Sequence, residues 1–428
     1  MIDLKDLRER PEAYQEACRK KYIQLDVMAF VKLDQEYRQL KTRIDSLRSE
    51  QNKVSKEIPT LSGSDKDRKL EEMKALSNQL KTEGQRLKDL EEQWQRDQLL
   101  IPSIPLDKVP EGKDDSENVQ VRTWGEIPKF DFDFKDHVAL GRSLGILDVE
   151  RGVKIAGARS YFLLGDGARL QHAVLQCAMD LLSERGYLLV DCPHIVKYEA
   201  MMGTGYFPGG EEMAYALDER DSGFHLIGTS EVSVCSMHSN EILDETELPL
   251  KYAGFSPCYR REAGSYGKDT AGVYRIHQFY KVEQVVICKA DIEESAKLHQ
   301  ELLGNSEKLM QMLELPYRVV DVCSGDMGQG QVYKNDIETW MPSRENYGET
   351  HSCSTFYDFQ ARRLMMRYRM ADDSKVYCHT LNNTCVASPR ILIPLLEVHQ
   401  TSDGRVRIPA VLRNYMGGQE FIEPRKTA

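Results

Sequence analysis

Two stretches of regularly spaced apolar residues, divided by a proline and a glycine, leave the first quarter of this chain little choice of fold. Leu33, Tyr37, Leu40, Ile44, Leu47, Gln51, Val54 and Ile58 recur at alternating intervals of four and three, with Gln51 as the polar member. That spacing is a coiled-coil seam. Pro59 and the S-G-S-D run at 62–65 end the helix and supply a turn. A second seam follows at Met73, Leu76, Leu80, Glu83, Leu87, Leu90 and Trp94, weakened in its middle by Glu83 and Gly84. Two seams of similar length joined by a short turn fold back as an antiparallel hairpin. Residues 33–58 alone predict a rod about 39 Å long at 1.5 Å per residue. A two-helix rod has no room for a pocket, so it must reach for something. Residues 1–26 carry two shorter helical patterns broken at Pro11. The hairpin is expected over about 28–100, inside an N-terminal domain of 1–110.

Charge narrows what the rod can touch. The chain of 428 residues carries a net charge of −11, which gives no global pull toward nucleic acid, so any such contact must be local. Residues 28–100 hold 15 basic and 14 acidic side chains, which leaves −12 on the rest. Toward the tip, residues 38–69 hold 9 basic and 5 acidic. Charge alone reads as a solvated coiled-coil face, although a mildly basic rod on an acidic body also suits a phosphate backbone. Arg38, Lys41, Arg43, Arg48, Lys53, Lys56, Lys74 and Lys81 are its candidate contacts. No apolar run approaches the roughly 18 residues that span a bilayer. The first residues, M-I-D-L-K-D-L-R-E-R, read as acidic helix rather than signal peptide. The ten cysteines include no C-x-x-C pair, which favours free thiols in a reducing cytoplasm.

Prolines at 102, 105, 110 and 128 mark 101–128 as a linker, with the body starting near Phe130 in a second domain, 111–428. Helices are expected over His137–Leu147 and Ala168–Glu184, and a strand over Tyr187–Val190. A Gly-rich stretch at 202–210 and L-I-G-T-S-E-V at 226–232 follow. Thr229 and Glu231, two apart on a strand, would face one side and hold an ammonium group. The densest chemistry lies from Phe255 to Glu283. Phe255–Glu262 and Tyr274–Ile287 read as strands around a polar loop, a hairpin with arginines near its stems. Arg260 and Arg275 offer planar forks for phosphate or carboxylate, Phe279 a flat face for a base, and Glu262 and Glu283 acceptors for amines or guanidiniums.

This hairpin resembles motif 2 of the class II aminoacyl-tRNA synthetases, and its wording resembles the seryl branch of bacterial type. T-S-E at 229–231, E-T-H-S-C-S at 349–354 and T-L-N-N-T-C-V-A-S-P-R at 380–390 extend the likeness in the family's order, and the N-terminal hairpin resembles its helical arm. The resemblance implies an α+β protein: an antiparallel coiled-coil arm followed by a catalytic domain on a mostly antiparallel β-sheet flanked by helices. The helix and strand at 168–190 would be motif 1, a homodimer interface. The resemblance further implies ATP and Mg²⁺ as reactants, L-serine and serine tRNA as substrates, and transfer of serine to the tRNA's terminal ribose; selenocysteine tRNA is a further possible acceptor. It assigns catalysis to Arg260, Glu262 and Arg390. ATP would meet Arg260, Arg261, Glu262, Ile276, Phe279, Glu349, Thr350, His351, Ser352 and Arg390, with magnesium at Glu349 and Ser352. Serine would meet Thr229, Ser230, Glu231, Arg260, Glu283 and Thr384. The arm would grip the tRNA's long variable arm, mostly by shape and backbone.

Other readings fit less well. G-S-Y-G-K-D-T at 264–270 lacks P-loop spacing, and G-x-x-G-x-G at 325–330 is not a dinucleotide fingerprint. His351 and Cys353 lack a second ligand pair, so no structural zinc is expected. A homologue that loads a carrier protein would lack the arm. A catalytically dead relative would have lost motif residues, yet Arg260, Glu262, Glu283, Glu349 and Arg390 are all present. Arg390 stands near the start of an apolar helical stretch, where a cation adds to the positive helix end and calls for an anion such as a triphosphate.

Overall fold

The computed structural model describes residues 1–217, 223–263 and 272–424. The chain divides into two compact units, Met1–Ile104 and Pro105–Ala428.

In the first unit, Pro11 closes the gap between α1 (Leu4–Glu9) and α2 (Pro11–Lys20) by opening the second helix, where its missing N–H costs nothing. The seams become α3 (Val27–Glu57) and α4 (Ser64–Leu100). A 3₁₀ turn, Ile58–Thr60, begins beside Pro59, and Gly63 at φ +61° lets the chain reverse. Tyr37, Leu40, Ile44, Val54 and Leu76 are buried, and the other seam residues are half-buried. Cross-pairs show the antiparallel sense. Tyr37 Oη donates to Glu91 at 3.0 Å, Arg43 pairs with Glu83 at 2.8 Å, and Glu57 with Lys69 at 3.1 Å. Glu83 therefore interrupts the second seam because it answers Arg43 across the hairpin.

The second unit is built on an eight-stranded sheet. Its strands are β1 (Val119–Trp124), β2 (Leu188–Asp191), β3 (Leu250–Tyr259), β4 (Gln278–Cys288), β5 (Tyr317–Asp321), β6 (Tyr333–Met341), β7 (Asn346–Tyr357) and β8 (His379–Ser388). They lie in the order β1-β5-β6-β7-β8-β4-β3-β2. Neighbours are antiparallel except β2 and β3, which run parallel. The helices Asp166–Glu184 and Ile292–Met312 pack on one face, where Val174, Ala178, Leu302 and Leu309 meet Val282, Val286, Ile337 and Cys385. Gln284 also faces that side and spends its amide on Leu302 O and Ser306 Oγ. The opposite face of β4 carries Phe279, Lys281 and Glu283. An antiparallel sheet can leave one face open in this way.

Three expectations change. The stretch read as linker contains β1, an edge strand paired to β5. Val119 and Val121 alternate with Gln120 and Arg122, but the run is short, lies among prolines and exposes every side chain. The first stem of the hairpin is Leu250–Tyr259, and the second begins at Gln278 rather than Tyr274. The helix expected over His137–Leu147 stops at Leu144, where Gly145 takes φ +69°. The P-loop-like run at 264–270 lies outside the described residues.

One buried acid ties the first unit together. Asp34 is 1% exposed on α3. It accepts from Arg8 Nε at 2.8 Å and Nη2 at 2.9 Å, from Arg38 Nε at 3.0 Å and from Trp94 Nε1 at 3.1 Å. It thus joins α1, α3 and α4. Burial works against its charged form; the hydrogen bonds of Arg8 and Trp94 and the charges of Arg8 and Arg38 outweigh it and hold the carboxyl below its usual range. A carboxyl depressed by folding adds stability above its unfolded pKa of about 4 and loses it as pH falls through the lower folded value. Asp34→Ala should destabilise the first unit by about 3 kcal/mol, because it strands Arg8 beside a buried void. Urea unfolding of the full-length protein, followed by Trp94 fluorescence with Trp124 and Trp340 replaced by Phe, should show the earlier transition at pH 7, with the gap to the same background carrying Asp34 closing below about pH 4.

Candidate active site

Beyond the end of β3 the Arg260 N–H donates to His277 O at 2.9 Å, which carries the hairpin pairing one step further. The Arg260 side chain turns onto the open face. Its Nε lies 3.3 Å from Gly228 O, and its guanidinium carbon 5.2 Å from the Phe279 ring centre. Glu262 sits at φ +53°, a conformation costly for a residue with a Cβ and frequent at functional sites. Its carboxylate accepts from Arg275 Nη1 at 2.8 Å. Arg390, just ahead of the helix Leu392–Val398, donates from Nε to Tyr274 O at 3.2 Å and from Nη1 to Glu349 O at 3.0 Å. Its Nη1 is also 3.7 Å from Glu349 Oε2. Arg260, Glu262, Ile276, Phe279, Glu349, Thr350 and Arg390 line one cleft. It offers an aromatic face, three arginines when Arg275 is counted, and a carboxylate opposite them.

A second cavity of about 300 Å³ adjoins it. Arg260, Lys281, Glu349 and Thr384 line both. Here Glu283 and Thr384 stand opposite each other on β4 and β8, with Thr384 Oγ1 donating to Glu283 Oε2 at 3.2 Å. Lys281 Nζ is 2.5 Å from the same oxygen. Across the cavity Glu231 accepts from Gln360 Nε2 at 2.7 Å and Tyr206 Oη at 3.2 Å. Two β-bulges set these faces. One between Val282 and Glu283 places Glu283 against Thr384. The other, between Ile337 and Glu338, falls at Thr350 on β7. Residues 349 and 352 would otherwise point to opposite sides; with one extra residue between them, Glu349 and Ser352 both line the cavity.

The electrostatics follow burial. Burial and the neighbouring Glu283 charge push the Glu231 carboxyl up to about 7, against the pull of Gln360, Lys281 and Tyr206. Burial also works against the charged Glu349, but Arg390, Lys334, Arg260 and Arg275 win and hold its carboxyl below its usual value. His351 is pushed down to about 4 by burial and stays neutral at pH 7.

Not every expected residue reaches the site. Thr229 and Glu231 do not share a strand; Glu231 opens the short helix Glu231–Ser236, and Thr229 Oγ1 accepts from its backbone N–H at 3.3 Å. Ser230 donates to Gly254 O at 3.0 Å, away from both cavities. His351 lines neither cavity and bonds through Nδ1 with Thr350 Oγ1 at 2.8 Å. Arg261 has an exposed side chain, and its backbone N–H donates to Met213 O at 2.9 Å. Ser352 faces the second cavity rather than the first. Lys281 and Tyr206 were missed. The two-residue spacing of Phe279, Lys281 and Glu283 signals the first; Tyr206 lies in the Gly-rich stretch at 202–210, where nothing in the local pattern marks it. Glu338 is structural, paired with Arg318 at 2.5 Å.

Among the described residues, no three His, Cys, Asp or Glu side chains are grouped to hold a metal ion. All ten cysteines are free and buried. No helix among the described residues is long and apolar enough to cross a membrane.

Comparison with known proteins agrees across the chain. Residues 1–105 match the family model for the seryl-tRNA synthetase N-terminal domain. Residues 214–399 match that for the tRNA synthetase class II core domain (G, H, P, S and T). The chain is 46% identical over 422 residues to a serine–tRNA ligase of Deinococcus radiodurans, covering 99% of each. It is 43% identical over 430 residues to one of Fervidobacterium nodosum, covering 99% of this chain and 100% of that one. The seryl-tRNA synthetase from Pyrococcus horikoshii, solved in complex with ATP, is similar at TM-score 0.91 and 37% identity over 100% of both chains. That from Naegleria fowleri, in complex with AMP, gives TM-score 0.84 and 32% identity, covering 97% and 96%. With both domain types in order, near-complete coverage and the α+β architecture described above, the chain belongs to the seryl-tRNA synthetase family.

Proposed function

We propose that the protein activates L-serine with ATP, giving seryl-adenylate and pyrophosphate, and then transfers serine to the 3′-terminal ribose of serine tRNA. One observation carries this reading. A cleft suited to a nucleotide adjoins a polar cavity of amino-acid size, and Arg260 stands at their junction. In the first step the serine carboxylate attacks the α-phosphorus in line and pyrophosphate leaves. Little proton transfer is needed, so positioning and charge stabilisation dominate. Arg260 would bridge the carboxylate and the α-phosphate, offsetting their repulsion. Phe279 would stack on adenine, with Ile276 beneath it and Glu262 holding Arg275 toward the phosphates. Arg390 would meet the outgoing pyrophosphate.

Glu349 and Ser352 would hold a magnesium ion carried by ATP. The bulge puts two hard oxygen donors on one face, and the small protein share suits an ion that keeps phosphate and water ligands. That ion supplies charge neutralisation on the phosphates. Glu283 and Thr384 would bond the serine hydroxyl, and Glu231, supported by Thr229 and Ser230 behind it, the ammonium. A pocket built to hydrogen-bond a hydroxyl rejects substrates that lack one, because its buried acceptors stay unpaired.

On the arm, Arg38 and Arg43 are engaged with Asp34 and Glu83, whereas Lys53, Lys56, Lys74 and Lys81 are exposed. These lysines suit a tRNA backbone. Leu188 and Leu189 are 63% and 44% exposed on edge strand β2, consistent with a homodimer through the motif 1 region. Ten buried thiols fit the reducing cytoplasm where we place the protein.

Pyrophosphate exchange with purified protein should respond to serine, and not to threonine, alanine, glycine or lysine. Arg260→Ala should lower it about a thousandfold with an unchanged thermal melt; normal exchange by this variant removes Arg260 from the chemistry. The KM for serine should fall as pH rises from 6 to 8, because Glu231 must lose its proton to hold an ammonium. The groups that face Glu231 are Glu283 and Lys281 on β4, Tyr206 and Gln360. Glu231→Gln should flatten the profile, and a profile that keeps its slope excludes Glu231 as its source. Replacing residues 36–92 with a short linker should leave exchange intact and reduce charging of serine tRNA at least about a hundredfold; undiminished charging leaves the arm without its role.

A further inference from the structure

We infer that His137 is a positioning residue for ATP: anchored by buried Glu397, it holds Gly272 and Val273 and so fixes the segment 272–276 that walls the nucleotide cleft. The inference deepens the ATP reading given above and rests on it. Val273, Tyr274, Arg275 and Ile276 all line that cleft. The segment belongs to no helix or strand, so its place is set by contacts from outside it.

Those contacts begin at Glu397, in the last turn of the helix Leu392–Val398 and 0% exposed. A buried carboxylate must find donors. It accepts from the His137 N–H at 2.9 Å, His137 Nδ1 at 2.8 Å, the Ser343 N–H at 2.9 Å and Ser343 Oγ at 2.8 Å. Gln400, from the same stretch, accepts from the Lys135 N–H at 2.8 Å and donates to Lys135 O at 3.0 Å, which steadies the approach to His137. At the other edge of the ring, the Val273 N–H donates to His137 Nε2 at 3.3 Å. A backbone N–H can only donate, so Nε2 accepts and the ring proton sits on Nδ1, toward the carboxylate. Gly272 lies against the same nitrogen. It takes φ +77°, and an added Cβ would strike Nε2.

One short helix thus serves the cleft twice. Arg390 stands just ahead of it, and Glu397 acts from its last turn through His137. The two meet again at Tyr274, whose carbonyl accepts from Arg390 Nε at 3.2 Å. Val273 and Ile276 are buried with Met341 and Ile393, and Tyr274 and Phe279 pack against them. Apolar packing has no direction, whereas the bond to Val273 has one, so His137 decides how the segment sits. Arg275, which reaches Glu262 at 2.8 Å, moves with it. A wall fixed in advance spares ATP the cost of ordering it. None of residues 272–276 lines the second cavity, so the loss of this anchor falls on ATP and not on serine.

Pyrophosphate exchange by the full-length protein, giving KM for ATP and for serine, separates the outcomes when paired with a thermal melt and calorimetric titration with ATP. His137→Phe keeps a ring and loses both side-chain bonds. It should weaken ATP binding about tenfold, raise the KM for ATP in step and leave that for serine unchanged. His137→Gln, which keeps a donor and an acceptor, should recover part of the loss. Gly272→Ala should weaken ATP in the same way, and its effect should shrink in a His137→Ala background, where the ring it strikes is gone. Unchanged ATP binding by His137→Phe overturns the proposal. So does an equal rise in KM for ATP and serine, which would make His137 a general support of the domain. If His137→Phe shows no cooperative melt, Gly272→Ala decides, and wild-type ATP affinity in that variant overturns the proposal. A wild-type protein that binds no ATP overturns the ATP reading itself, and His137 with it.

Discussion

The side-chain parity of β4, β7 and β8 decides where every charged group of the site points. A strand alternates its faces without exception, so a polar site on one face and a packed core on the other can coexist only if the alternation is kept or deliberately shifted. β4 keeps it: Phe279, Lys281 and Glu283 face the cavities while Val282, Gln284 and Val286 face the helices. β7 shifts it at Thr350, which delivers both Glu349 and Ser352 to the same side. β8 shifts it opposite Glu283, which sets Thr384 against that carboxylate. Remove either bulge and half the site turns into the core.

Charge is balanced at close quarters on this face. Glu231, Glu283 and Glu349 confront Arg260, Lys281 and Arg390, with Arg275 held by Glu262. The groups are not interchangeable, because each feels a different mixture of burial and partners. Glu349 keeps four cations near it and stays ionised. Glu231 is buried beside the like charge of Glu283, and the donors Gln360 and Tyr206 offset this only in part, so its proton comes off near neutrality. The cavity next to it is thus poised to gain a negative charge when a cation enters, whereas the cleft lined by Arg260, Arg275 and Arg390 favours an anion. That division matches a reaction in which an ammonium must be held still while two anionic groups are forced together.

The first unit solves a different problem. Two long helices with a narrow apolar seam bury little area for their length, so polar cross-pairs set their register. Asp34 draws α1, α3 and α4 to one point, beside Trp94, which stacks on Tyr37 at 5.0 Å. Glu83 and Arg43 repeat the device further along. Arg38, Arg43 and Arg86 serve these pairs while staying exposed themselves.

The heptad spacing, Pro11, Pro59 and Gly63 were enough to determine the first unit, because helices joined by a short turn are local objects whose seam must face itself. The hairpin at 255–283 was legible for the same reason, since its strands are neighbours in sequence. β1 was not, because a short exposed run among prolines reads as linker and becomes a strand by pairing with β5, about two hundred residues away. The chemical identities of Arg260, Phe279, Glu283, Glu349, Thr384 and Arg390 were readable, and so was the family they resemble. Their convergence was not. Bulges are invisible without the partner strand, so the facing of Ser352, the inward turn of His351 and the separation of Thr229 from Glu231 belonged to the tertiary structure. So did Lys281 and Tyr206, whose roles come from what stands opposite them.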